Sequence, residues 1–144
     1  MMQWDAPTIA QLGRDAGFFS TDLHTLVAIA LAASRGHDHY HLEIFGGLGG
    51  DRRGLYGIDL RDNPEARGLD LYNPVTSTET AYALTRARSG FGWSAEWRTG
   101  ATVPLMHYAA TESSRVGYAQ RARTSQPVLA NRKAHEQWPT ITRY

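Results

Sequence analysis

The sequence predicts a mainly α domain of α+β type, built round one buried central helix, with a small irregular or β-like excursion at about residues 37–50. Three observations lead there. Residues 21–34 are apolar on nearly every side: Leu23, Leu26, Val27, Ala30 and Leu31 fall at helical spacing, and Ala28, Ile29, Ala32 and Ala33 fill the remaining surface. A helix that is apolar all round is a buried one. Proline and glycine signals then divide the rest of the chain into further helical stretches. Finally, 144 residues with 42% hydrophobic and 20% charged content have the size and composition of a globular domain able to bury a full core.

Taken in order, the first helix is predicted over 7–16. Pro7 sits in its first turn, Ile9 and Leu12 face inward, and Gly17 stands where a left-handed cap is wanted. Phe18 and Phe19 dock the connection. Ser20 or Thr21 is expected to cap the central helix, with Asp22 well placed against its positive end. Arg35 and Gly36 stop it. Residues 39–45 fit a short extended segment before the glycine-rich run 46–50, and 53–59 fit a short helical turn. Asn73-Pro74 is a cap and first-turn pair for a helix over 75–88, closed by Gly90-Phe91-Gly92. Residues 93–97 form an aromatic turn. A last helix is expected from 102 to 123, followed by an extended arm over 124–144.

Composition excludes several functions. With no cysteine, the chain has no disulfide framework, thiolate zinc site or cysteine nucleophile. The longest apolar stretch, 26–33, is too short to cross a bilayer, and no basic-then-apolar leader opens the sequence. The net charge of +1 hides a gradient: residues 1–80 hold 6 Arg against 11 carboxylates, whereas the remainder holds 9 cations against 3 carboxylates. That polarity fits an acidic groove in one half and a partner-facing surface in the other. No dense basic run with interleaved aromatics is present, so nucleic acid is not an expected partner. The preference for Arg over Lys reflects the base composition of the gene.

Four landmarks occur in a fixed order: ALAAS (30–34) closing the buried helix, GLYGI (54–58) after the glycine-rich loop, LYNP (71–74) opening a helix, and GFGWSAEW (90–97). This order resembles the lysozyme-like, lytic-transglycosylase-type domains of actinobacterial phage tail proteins and endolysins, whose pattern runs ALAES-GG, GLWQI, L-DP and GW-S-W. The resemblance covers about residues 7–100 and implies a lysozyme-like fold, a domain over 1–123, and cleavage of peptidoglycan glycosidic bonds. Such cleavage needs a carboxylic acid still protonated near neutral pH. A Glu at the carboxyl end of a buried helix has that property, since desolvation and the helix dipole both raise its pKa.

The position matching that Glu is Ala33, which has no proton to give. The Gln of the second motif is Gly57, its aromatic is Tyr56, and one of the glycines after Ser34 is Arg35. The expectation is a domain without its catalytic acid, in which Ser34, Tyr56 and Asp59 line the cleft and contact substrate. Glu43 is the one carboxylate able to act as a displaced acid in an alternative, active peptidoglycan hydrolase. Asp38, Asp51 and Asp59 flank the same region, either as turn and cap residues or as acceptors for sugar hydroxyls.

Other groups have side chains suited to chemistry. His37, His39 and His41 alternate and would share one strand face, a spacing that can hold zinc, but three ligands from one strand give poor geometry, and neither a metal nor a cofactor is expected. Trp93, Trp97 and Tyr82 can stack on sugars or fill the core. Arg86, Arg88 and Arg98 are a solvated face or a contact for an acidic neighbour. The arm combines Arg121, Arg123, Arg132, Lys133 and Arg143 with apolar Val128, Leu129, Trp138 and Ile141, a mixture suited to lying against a partner through Trp138. Together with the resemblance, these features predict a structural protein of a phage virion, in the tail or baseplate and extracellular when assembled. It would contact other virion proteins and cell-wall glycan, but neither nucleic acid nor membrane.

Overall fold

The computed structural model describes residues 2–39 and 51–115. Their order is α1 (Ala6–Ala16), α2 (Ser20–Ser34), β1 (Arg52–Arg53), β2 (Ile58–Asp59), a 3-10 turn (Pro64–Ala66), α3 (Pro74–Ala87), α4 (Ala95–Arg98), a second 3-10 turn (Val103–Leu105) and α5 (Met106–Ser113). The fold is mainly α, with one two-stranded antiparallel sheet pairing Arg52 with Asp59 and Arg53 with Ile58.

The central helix is where its apolar surface requires it to be. Leu26, Val27, Ala28, Ile29 and Ala30 are all fully buried. Helices α1 and α5 pack on α2, joined by α4 and the second 3-10 turn, while α3 packs on α1. Helix α1 begins with Asp5 accepting the Thr8 N–H and ends at Gly17, where φ is +121°. Helix α3 begins with Asn73 accepting from the Val75 and Thr76 N–H groups. Both boundaries follow from the capping residues in the sequence.

Three elements differ from expectation. No side chain caps α2: Phe19 holds the cap position and Ser20 takes φ +54°. Residues 53–59 are a β-hairpin turn, not a helical one, because Gly54 and Gly57 have φ +75° and +58°. A Cβ on Gly54 would lie 1.9 Å from the Leu71 carbonyl oxygen, so only glycine fits between the hairpin and the start of α3. The last described helix is interrupted after Ser113, where the expected one continues, and residues 116–123 of that expectation lie outside the described residues. Ser113 and Ser114 hydroxyls donate back to the Ala109 and Thr111 carbonyls, competing with the backbone ladder at that end. The expected extended segment at 39–45, apart from His39, and the arm over 124–144 lie outside the described residues.

The chain before α1 is tied to the exit of α2. Trp4 N–H donates to the Gly36 carbonyl at 2.8 Å, and Gln3 bridges to His37. Asp38 completes the tie: its Oδ2 accepts the Trp4 indole N–H at 3.1 Å and its Oδ1 accepts the Met2 N–H at 3.0 Å. The tryptophan is 6% exposed, so Asp38 satisfies a donor that water cannot reach. Removing a charged acceptor from a buried donor costs about 2–3 kcal/mol. Asp38→Ala is therefore expected to lose about that much stability in urea unfolding, and Asp38→Asn, which keeps one acceptor, to lose less.

Candidate functional site

The carboxyl end of α2 is held by a hairpin, and the two motifs at that junction meet through hydrogen bonds. Ser34 Oγ donates to the Leu55 carbonyl at 2.6 Å, lies 3.0 Å from the Ala30 carbonyl, and accepts the Gly36 N–H at 3.2 Å. Tyr56 extends the link to α3. Thr78 Oγ1 already donates to the Pro74 carbonyl at 2.6 Å, so the Tyr56 hydroxyl must donate to Thr78, at 2.7 Å. The Tyr56 ring is fully enclosed, and burial pushes its phenol far above the usual range, the Thr78 hydrogen bond only partly offsetting it. Ala33 itself is 4% exposed.

This geometry corrects two expectations. Ser34 and Tyr56 do not line an open groove. Both are in the core, and their polar atoms are committed to joining α2, the hairpin and α3. Sequence alone could not separate these roles, because a hydroxyl beside a helix end serves either.

Asp59 is also occupied. Burial works against its charge, but the Arg61 side chain, the Arg61 N–H at 2.9 Å, and the charges of Arg61 and Arg52 outweigh it and hold the carboxyl below the ordinary range. A carboxylate held ionised in this way is an acceptor, not a proton donor, and its open contact with substrate is corrected to an internal pairing. Arg52 meanwhile donates to the Gly57 carbonyl and pairs with Glu96 on α4, a contact not legible in sequence spacing. It staples the hairpin to α4.

Of the histidine stripe, His37 and His39 are among the described residues, and His39 is engaged by its neighbours. His39 Nδ1 lies 2.8 Å from Asp38 Oδ1, and the His39 ring stacks on Tyr72 with centroids 4.6 Å apart. Among the described residues no group of three His, Asp or Glu is placed to hold a metal ion. His41, Glu43 and Trp138 lie outside those residues. Trp93 is core, its indole N–H donating to Thr85, while Trp97 is 46% exposed. Tyr82 packs edge-on to Phe18. Arg88 pairs with Glu65 and Arg98 with Asp62, and Arg86 donates to the Tyr82 hydroxyl. Exposed pairs of this kind stabilise by less than about 1 kcal/mol each.

Sequence reasoning missed Glu79. It is on α3, one residue beyond the Thr78 that receives the Tyr56 hydroxyl, and is 8% exposed. Burial raises its carboxyl to about 7. Its only sequence signal was a lone acidic residue in the otherwise small and apolar run 74–84.

A family model described as a lysozyme-like domain matches residues 10–99, more than half of the chain. The matched span runs from within α1 to the end of α4 and includes the hairpin junction. No curated protein and no solved structure matches the chain.

Folding moves the Glu79 carboxyl from 4.5 up to about 7, so between those values the native state binds the extra proton. Its contribution to stability is present below the lower value and is lost as pH rises through the upper one. The loss should amount to about 1–3 kcal/mol. Urea unfolding at pH 4.5 and 8 should show that loss in the parent protein, and Glu79→Gln should remove this component of the slope.

Proposed function

The chain belongs to the lysozyme-like domain family, and from that premise we propose that it is a form of the domain without catalytic activity, retained as a structural component of a phage tail or baseplate that contacts cell-wall glycan. Membership makes it a glycan-related, peptidoglycan-associated domain of a family whose members are typically glycosidases or transglycosylases. The observation that carries the loss of activity is the end of α2. Ala33 occupies the position assigned to the acid, Ser34 and Tyr56 are spent on internal hydrogen bonds, and Asp59 is held ionised by Arg61. A missing general acid lowers the rate by about 10²–10⁴-fold from that group alone. The tail assignment draws on the motif resemblance and on the basic, Trp138-containing arm.

The alternative, an active peptidoglycan hydrolase, has one observation in its favour. Glu79 is a buried carboxyl with the proton affinity a general acid requires near neutral pH. Glu43 is the other candidate for a displaced acid.

Peptidoglycan digestion with mass-spectrometric detection of muropeptides separates the readings. The parent protein is expected to release none and Ala33→Glu to release detectable product. Release by the parent would overturn the inactive reading, and its loss in Glu79→Gln or Glu43→Gln would identify the acid. Repeated copies of the chain in purified virions, with Trp138 protected from solvent, are the expected result for a tail component.

A further inference from the structure

We infer that a groove of about 430 Å³ between the N-terminal segment, the end of α2 and α5 is a binding site for a sugar bearing a single carboxylate, with Arg35 as the anion contact and Tyr108 as the ring contact. Its volume is within the range of small-molecule sites. The groove is separate from the junction at Ala33. Leu31 and Arg35 are four residues apart and share one face of α2, whereas Ala33 lies two residues from each and so points about 200° away.

Arg35 is the main reason to assign a ligand. It caps α2 with φ +55° and ψ +25°, a left-handed conformation that glycine adopts without strain and other residues do not. A left-handed residue at this position closes many helices, so the choice of Arg35 rests on its side chain and not on its backbone. The Arg35 backbone is used, its N–H donating to the Leu31 carbonyl and its carbonyl accepting from Gln3 Nε2 at 3.2 Å. Its guanidinium has no hydrogen-bond or ion-pair partner among the described residues, and the residue is exposed.

The other charges in the groove are already matched. Glu112 pairs with Arg115 at 3.0 Å, and Asp5 caps α1 through the Thr8 N–H at 3.1 Å. One unmatched cation fits one carboxylate; a polyanion would meet Glu112 and Asp5 as well. A guanidinium binds a carboxylate through paired N–H donors. Tyr108 is 52% exposed and offers a ring face with a hydroxyl, which suits a sugar better than a hydrocarbon. The choice of sugar rests on the peptidoglycan-facing reading above; the groove and its anion contact do not.

The test is calorimetric titration of the full chain with N-acetylmuramic acid and with N-acetylglucosamine, which lacks the carboxylate-bearing lactyl group. The acidic sugar is expected to bind at least about tenfold more tightly, as a charge-assisted hydrogen bond allows. Arg35→Gly should remove that preference while the thermal midpoint holds or rises, because glycine relieves the left-handed strain. Tyr108→Ala should weaken both sugars alike. Equal binding of the two sugars, binding of neither, or an unchanged preference in Arg35→Gly would overturn the assignment. Tighter binding of an Asp- and Glu-rich peptide than of the acidic sugar would also overturn it. None of these outcomes bears on the digestion result, so the groove and the inactive-domain reading fail or stand separately.

Discussion

Burial of the middle of α2, residues 25–30, from every direction is the constraint on which the other elements depend. A helical stretch with Leu26, Val27, Ala28, Ile29 and Ala30 all inaccessible has no solvent face, so neighbours must cover each side. Helices α1 and α5 supply much of that cover, and α4 with the adjoining 3-10 turn adds to it. The chain before α1 returns to the exit of α2 through Trp4, Gly36 and Asp38, and so fixes the direction in which the chain leaves the core. The hairpin closes the remaining end by taking the Ser34 hydroxyl on the Leu55 carbonyl.

That last contact has a chemical consequence. The place where a buried helix would desolvate an acid is here a place where hydroxyls are consumed by structure. Ser34 and Tyr56 each satisfy a partner on another element, which strengthens the junction and leaves those groups unable to receive a sugar hydroxyl without breaking a buried hydrogen bond. A methyl group at Ala33 suits the same site, since it needs no partner. The opposite face of the same helix end is different: the Arg35 guanidinium is exposed on a left-handed backbone beside a groove. One turn of helix thus separates a sealed side from an open one.

The carboxylates divide by their neighbours. Asp59 is kept ionised because Arg61 supplies both a backbone and a side-chain donor. Asp38 serves two N–H donors, one of them the buried Trp4 indole, and lies beside His39. Glu96 is tied to Arg52 and joins the hairpin to α4. Glu79 is the exception, because desolvation dominates and its proton is held to near neutrality. It is the described carboxyl whose chemistry departs most from that of a simple structural anion.

Local chemistry made much of this protein legible in its sequence. The apolar run at 21–34 dictated a buried helix, Asp5 and Asn73 dictated where α1 and α3 begin, and the four ordered motifs identified the lysozyme-like domain. These features depend on neighbours close in the chain. What required tertiary structure is the use of each polar group. Ser34 meets Leu55, Tyr56 meets Thr78 and Arg52 meets Glu96 across separations of 21, 22 and 44 residues, and periodicity carries no record of such pairings. The hairpin at 52–59 was likewise hidden, because its two glycines need positive φ only once Leu71 has been brought against Gly54. The groove at Arg35 and the raised affinity of Glu79 for its proton arise in the same way. Each is a property of surroundings assembled from distant segments, and only the folded chain has those surroundings.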